Sequence, residues 1–152
     1  MKTRTILEVF SAALVFIFVG GGCARDIDKG LVNAAYAGDL RRIEQLLQEG
    51  ADPNELAVDG WNALPIAARE GHAEAVSVLL RAGAKINAPE GGGNTALFWA
   101  AFYDRRDVIT LLIADGADVN KKARGGETPL HVALRLGHQH AAELLRNAGA
   151  KD

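Results

Sequence analysis

Four glycines, Gly50, Gly83, Gly116 and Gly149, stand 33 residues apart, and each opens a Gly-Ala pair. Three of those pairs run on into an asparagine, at Asn54, Asn87 and Asn120. A fixed period of this length means one supersecondary unit used repeatedly, each copy burying its apolar face against the next. Within the period, Ala67-Ala68 and Ala100-Ala101, with Ala133-Leu134 in the last copy, make a slim first helix that stacks closely. A turn follows at Gly38, Gly71, Asp104 and Gly137. The second helix carries apolar residues three and four apart, as in Ile43, Leu46 and Leu47, in Val76, Leu79 and Leu80, and in Ile109, Leu112 and Ile113. The glycine of each Gly-Ala pair then ends that helix.

The stretch 125–150 shows the unit most fully, with Thr128-Pro129-Leu130-His131 at its start and Gly137-His138 at its turn. Together with Gly116-Ala117-Asp118-Val119-Asn120, these residues resemble the TPLH, GH and GADVN motifs of the ankyrin repeat family. The resemblance covers residues 29–152 and implies an all-α fold, a solenoid of four stacked helix-turn-helix repeats at 29–54, 55–87, 88–120 and 121–152, joined by short β-turn fingers. It also implies that His131 bonds to neighbouring backbone and joins repeats.

Departures from the motif carry their own expectations. Asn62-Ala63-Leu64-Pro65 and Thr95-Ala96-Leu97-Phe98 replace TPLH in the second and third repeats, and Asn62 and Thr95 are expected to cap their helices through a side-chain oxygen. Asp104 takes a glycine's place at a turn that calls for left-handed backbone. In the first repeat Lys29-Gly30-Leu31-Val32 replaces TPLH, and Arg41, Arg42, Glu44 and Gln45 suit a face that meets solvent. In the fourth, Arg146 continues the series Leu47, Leu80, Ile113, and Ala142 continues Ile43, Val76, Ile109, which predicts that the array stops there.

Residues 1–22 are unlike the rest. Lys2 and Arg4 precede a stretch, 9–19, that is apolar except for Ser11, and small residues follow up to Cys23 and Ala24. This is the layout of a signal peptide, too short for a convincing membrane span. Gly22-Cys23 resembles a bacterial lipoprotein signal, in which Cys23 would be lipidated as the first mature residue; Gly20 departs from it, since an aliphatic residue is usual there. Cleavage after Ala24 and an uncleaved anchor are the other readings, with 23–28 a short linker in each case. Cys23 is the lone cysteine, so no disulfide forms within the chain. Export to the periplasmic side of a bacterial envelope follows as the expected location.

Loss of the leader removes two basic residues and one acidic one, moving the net charge from −2 to −3. That balance offers no broad basic field for nucleic acid. Four histidines, His72, His131, His138 and His140, have no cysteine or paired carboxylate at metal-ligand spacing, so no metal is expected. Gly91-Gly92-Gly93 lacks the lysine and hydroxyl residue of a phosphate loop and reads as a turn in a finger. No nucleophile elbow or paired-carboxylate motif is present, and Glu70, Asp104 and Asp107 read as solvated surface; the expectation is a non-enzyme without cofactor.

What remains is recognition of another protein by a monomeric chain. In the ankyrin family the contact surface is concave, made of the fingers and the solvent side of the inner helices. Those positions correspond here to Leu56, Val58, Asp59, Trp61, Asn94, Lys122, Arg124 and Glu127 in the fingers, and to Tyr36, Arg69, Glu70, Phe102, Tyr103, Arg135 and Leu136 on the inner helices. Trp61, Phe102 and Tyr103 are large side chains at positions with no evident core role, the residue types that anchor interfaces. Trp99 aligns with Ile66 and Val132 and reads as core. An inhibitor or immunity partner of an exported enzyme, and a scaffold protecting envelope enzymes, are the sharper forms of this function.

Overall fold

A computed structural model describes residues 23–57 and 59–151, with the backbone path alone for 23–29. The expected signal peptide at 1–22 and the candidate contact residue Val58 lie outside the described residues, and of Cys23 only the backbone is described. Eight helices form among the described residues: α1 (Cys23–Ala37), α2 (Leu40–Gln48), α3 (Ala63–Glu70), α4 (Ala73–Arg81), α5 (Ala96–Phe102), α6 (Arg106–Ala114), α7 (Pro129–Leu136) and α8 (Gln139–Asn147). They make four antiparallel pairs in two layers. The inner layer runs α1, α3, α5, α7 and the outer layer α2, α4, α6, α8, each helix packed on the next in its layer. The described residues form no strand, and the all-α repeat solenoid expected from the 33-residue period is the architecture found.

Residues 23–28, expected as a linker, lie within α1 and are part of the first inner helix. The sequence from Cys23 to Asp28 contains neither proline nor glycine to stop it.

Caps explain the starts of α5 and α7. Thr95 Oγ1 accepts from the Phe98 N–H at 3.3 Å, and Thr128 Oγ1 accepts from the His131 N–H at 3.3 Å. The cap expected from Asn62 does not form, although its backbone is extended like that of the two threonines; its Oδ1 is buried without a partner. The cause is Pro65. It occupies the third helical position, where Phe98 and His131 supply the donor, and proline has no N–H to give.

The turns between paired helices need positive φ. Gly38, Gly71 and Gly137 have φ of 68°, 87° and 78°, and Asp104 is the one non-glycine with positive φ among the described residues, at 52°. The glycine of each Gly-Ala pair follows just beyond an outer helix in left-handed backbone, and the next alanine N–H reaches back five residues: Ala51 to Leu46 O at 3.0 Å, Ala84 to Leu79 O at 3.0 Å, Ala117 to Leu112 O at 2.9 Å and Ala150 to Leu145 O at 3.0 Å.

Two columns of side chains tie the repeats together. Asn54 donates to Gly83 O at 3.0 Å and accepts from Lys85 N at 2.7 Å; Asn87 accepts from Asp118 N at 2.8 Å; Asn120 donates to Gly149 O at 3.3 Å and accepts from Lys151 N at 2.9 Å. On the turn side, His72 Nε2 bonds to Tyr36 O, Arg105 Nε to Arg69 O and His138 Nε2 to Phe102 O, at 3.1, 2.8 and 3.1 Å. The inter-repeat role expected of His131 thus falls to this turn column. His131 Nδ1 instead lies 2.9 Å from Thr128 Oγ1 within its own repeat.

The core lies between the layers and between successive repeats. Ile43, Val76 and Ile109, with Leu46, Leu79, Leu112 and Leu145, are fully buried. At the last repeat Ala142 is buried while Arg146 is exposed.

Candidate partner-binding surface

Each finger is closed by the same backbone bonds. Ala57 N donates to Trp61 O, Glu90 N to Asn94 O and Ala123 N to Glu127 O, at 2.7, 2.9 and 2.8 Å. Successive fingers also touch. Gly91 N donates to Gly60 O at 2.6 Å, and a Cβ on Gly91 would stand 3.0 Å from that oxygen, so the close approach itself requires glycine there. Glu90, buried at the finger's base, accepts from Gly92 N, from Asn94 N at 3.1 Å and from Asn94 Nδ2 at 2.6 Å. The glycine run is therefore a finger tip folded round a carboxylate, and the amides that a phosphate would need are already engaged. Asn94 serves this turn.

Eight residues after each finger's end, the inner helix returns to it. Arg69 places its guanidinium 4.9 Å from the Trp61 ring centroid and 5.7 Å from that of Tyr36, while its Nε bonds to Glu70 at 2.7 Å. Arg135 grips Glu127 with two bonds, 2.8 and 3.1 Å. That pair holds the Glu127 carboxyl below the usual carboxylate range and raises Arg135, chiefly through the hydrogen bonds. At the equivalent place in the third repeat stands Phe102, within an aromatic assembly. Trp99 lies at its centre, 5.3 Å from Trp61, 5.8 Å from Phe98, 5.6 Å from Phe102 and 6.2 Å, nearly stacked, from Tyr103. Phe102 and Tyr103 are 5.0 Å apart, and the Arg105 guanidinium lies 5.9 Å from the Tyr103 ring centroid.

The structure thus joins Trp61, Arg69, Glu70, Phe102 and Tyr103, with Tyr36, into one continuous patch spanning three repeats. Tyr36 and Tyr103 are 54 % and 45 % exposed, whereas Trp61 and Phe102 are half-buried and present only part of each ring. Leu56, Asp59, Lys122, Arg124 and Leu136 are exposed, and among the described residues no ring or ion-pair contact links them to the patch. Trp99, expected in the core from its alignment with Ile66 and Val132, does pack against it but has a second role. It is half-buried, packs against the core on one side and carries the rings on the other, and its Nε1 is buried without a partner. Its spacing to Phe102 and Tyr103, three and four residues, is the helical-face signal that marks it.

Behind the patch, at the α5–α6 turn, Asp104 bonds to Arg106 at 2.9 Å, which holds its carboxyl below the usual range against the opposing effect of burial. Among the described residues, no three His, Cys, Asp or Glu side chains gather where a metal ion could be held, and no helix is long and apolar enough to cross a membrane.

Comparison with known proteins agrees with the repeat geometry. The sequence profile for ankyrin repeats in three copies matches residues 31–123, and that for a single ankyrin repeat matches 125–152. A stretch of 42 residues is 50 % identical to the potassium channel KOR2 of Oryza sativa subsp. japonica, covering 28 % of this chain and 6 % of that protein. The chain therefore spans a small fraction of that channel's length. Ankyrin repeats are generally protein–protein interaction modules, and proteins built from them are typically non-enzymatic. By matches that together cover its four repeats, this chain belongs to the ankyrin repeat family.

Proposed function

We propose that the protein is a binding module for another protein on the periplasmic side of a bacterial envelope, tethered by a lipid on Cys23. The observation that carries the binding role is the patch itself. Tyr36, Trp61, Trp99, Phe102 and Tyr103, with Arg69 over two of the rings, put interface-anchoring residue types on the finger side of three successive repeats. A solenoid of this size has no need of large half-exposed rings there, since its core is already filled by the aliphatic columns between helices. The location rests on the leader: the basic start, the short apolar stretch and Gly22-Cys23.

Two experiments test this reading. Affinity purification of the tagged full chain from envelope extracts, followed by mass spectrometry, should recover a partner that a Trp61→Ala/Tyr103→Ala variant fails to hold. Metabolic labelling with radioactive palmitate should mark the wild type and not Cys23→Ser; an unlabelled wild type found free in the periplasm would refute the tether.

A further inference from the structure

We propose that the segment held by this face is an extended peptide with aromatic or apolar residues at one end and a run of carboxylates at the other, laid with its acidic end over the finger of the fourth repeat. The inference deepens the protein-binding reading and rests on it.

The argument is one of charge left over. Most cations on this face are committed within the chain. Arg69 is bonded to Glu70 and covers two rings, Arg135 is held by Glu127, and Arg105 donates to Arg69 O while facing Tyr103. The finger before α7 is different. Lys121, Lys122 and Arg124 put three cations into four residues, all exposed, and none of their side chains makes an ion pair or hydrogen bond among the described residues. At the other end of the finger row Asp59 is exposed, and among the described residues it bonds only to the Trp61 N–H of its own turn. Between them the Glu90 carboxylate is buried and saturated by its own loop. Charge along the fingers therefore runs from negative to positive, with the ring patch alongside.

Such a face fixes the polarity of what it binds. Rings of the ligand stack on Tyr36, Trp61 and Tyr103, and its carboxylates meet uncommitted lysine and arginine at the fourth finger, so a reversed or basic segment meets like charge. The position of Arg124 is itself fixed, because its Cβ packs where a Cβ on Gly93 would stand, 2.7 Å away.

The test is selection of a phage-displayed random peptide library on the immobilised full chain. Selected peptides are then synthesised, and their affinities measured for the wild type, Trp61→Ala/Tyr103→Ala and Lys122→Glu/Arg124→Glu, all checked for folding by circular dichroism. The expected result is enrichment of sequences pairing aromatic residues with glutamate or aspartate, and loss of affinity by about tenfold or more in both variants. Copies with lysine in place of the acidic residues should bind the charge-reversed variant better than the wild type. Peptides that need Trp61 and Tyr103 but are neutral or basic overturn this inference and leave the protein-binding reading standing. Failure to select any peptide dependent on the patch also overturns it, and the purification experiment then judges the broader reading alone. Binding to phosphatidylglycerol vesicles that needs Lys122 and Arg124 but not the rings assigns the basic finger to a membrane surface and overturns it too.

Discussion

The Arg69 guanidinium sits 4.9 Å from the ring centroid of Trp61 and bridges it to Tyr36 of the preceding repeat. A planar cation between two rings fixes their orientation before any partner arrives, which lowers the entropy lost on binding. In a Trp99→Phe background, where Trp61 is the remaining tryptophan, Arg69→Ala should shift its fluorescence to longer wavelength as water reaches the ring. Stability should fall by only about 1 kcal/mol, the range of a cation–π contact that is still partly exposed. An unshifted spectrum would mean that Arg69 does not order the ring.

Asn62 and Pro65 predict a coupling absent from the native chain. Restoring an N–H with Pro65→Ala gives Asn62 Oδ1 the donor that Thr95 and Thr128 find three residues on. In that background Asn62→Ala should cost about 1 kcal/mol, the usual worth of a cap, and in the native background less. Urea denaturation of the four proteins of this double-mutant cycle measures the difference; equal costs in both backgrounds would contradict the account.

Asp104→Gly should stabilise the protein by up to about 1 kcal/mol in urea denaturation. Three equivalent turns use glycine, and Asp104 holds φ 52° with Oδ1 buried and unpaired. Its bond to Arg106 offsets part of this strain, but that arginine is exposed and solvent screens the pair. A clear loss of stability would show that the Arg106 pair outweighs the backbone strain.

Glu127 gives a pH dependence of defined sign. Arg135 depresses its folded-state pKa, so the pair's contribution is present above the ordinary glutamate pKa, about 4.3, and disappears as pH falls through the lower folded value. Thermal unfolding of the wild type and Glu127→Gln should therefore differ near neutral pH and converge in acid, with the neutral difference shrinking in high salt. A gap that persists in acid would assign the effect to something other than this carboxylate.

The fold was legible because the 33-residue period fixes which residues meet, and helix pairing, turn glycines and aliphatic columns all follow from it. The exceptions are places where a residue's role depends on its neighbour's chemistry. Asn62 has the right identity for a cap, yet Pro65 removes its donor. Arg105 stands where His72 and His138 stand and makes the same bond to the preceding repeat, a link that a search for GH motifs passes over. Trp99 shows the limit of alignment by columns. Ile66 and Val132 are small enough to be buried in the core, but the larger indole of Trp99 is only partly buried there and gathers Trp61, Phe102 and Tyr103 around it. Trp61, Phe102 and Tyr103 are legible as candidates from their positions, whereas their union into one patch with Arg69 depends on side-chain contacts between repeats.

In the function proposed above, the rings spanning the first three repeats carry the binding energy. Its most direct test is the affinity of the co-purified partner, measured by titration calorimetry against the wild type and Trp61→Ala/Tyr103→Ala, both shown to be folded. Loss of two anchors of this kind predicts weakening by about thirtyfold or more, the effect of about 2 kcal/mol. Unchanged affinity in the folded variant would contradict the account and move the contact surface off this face.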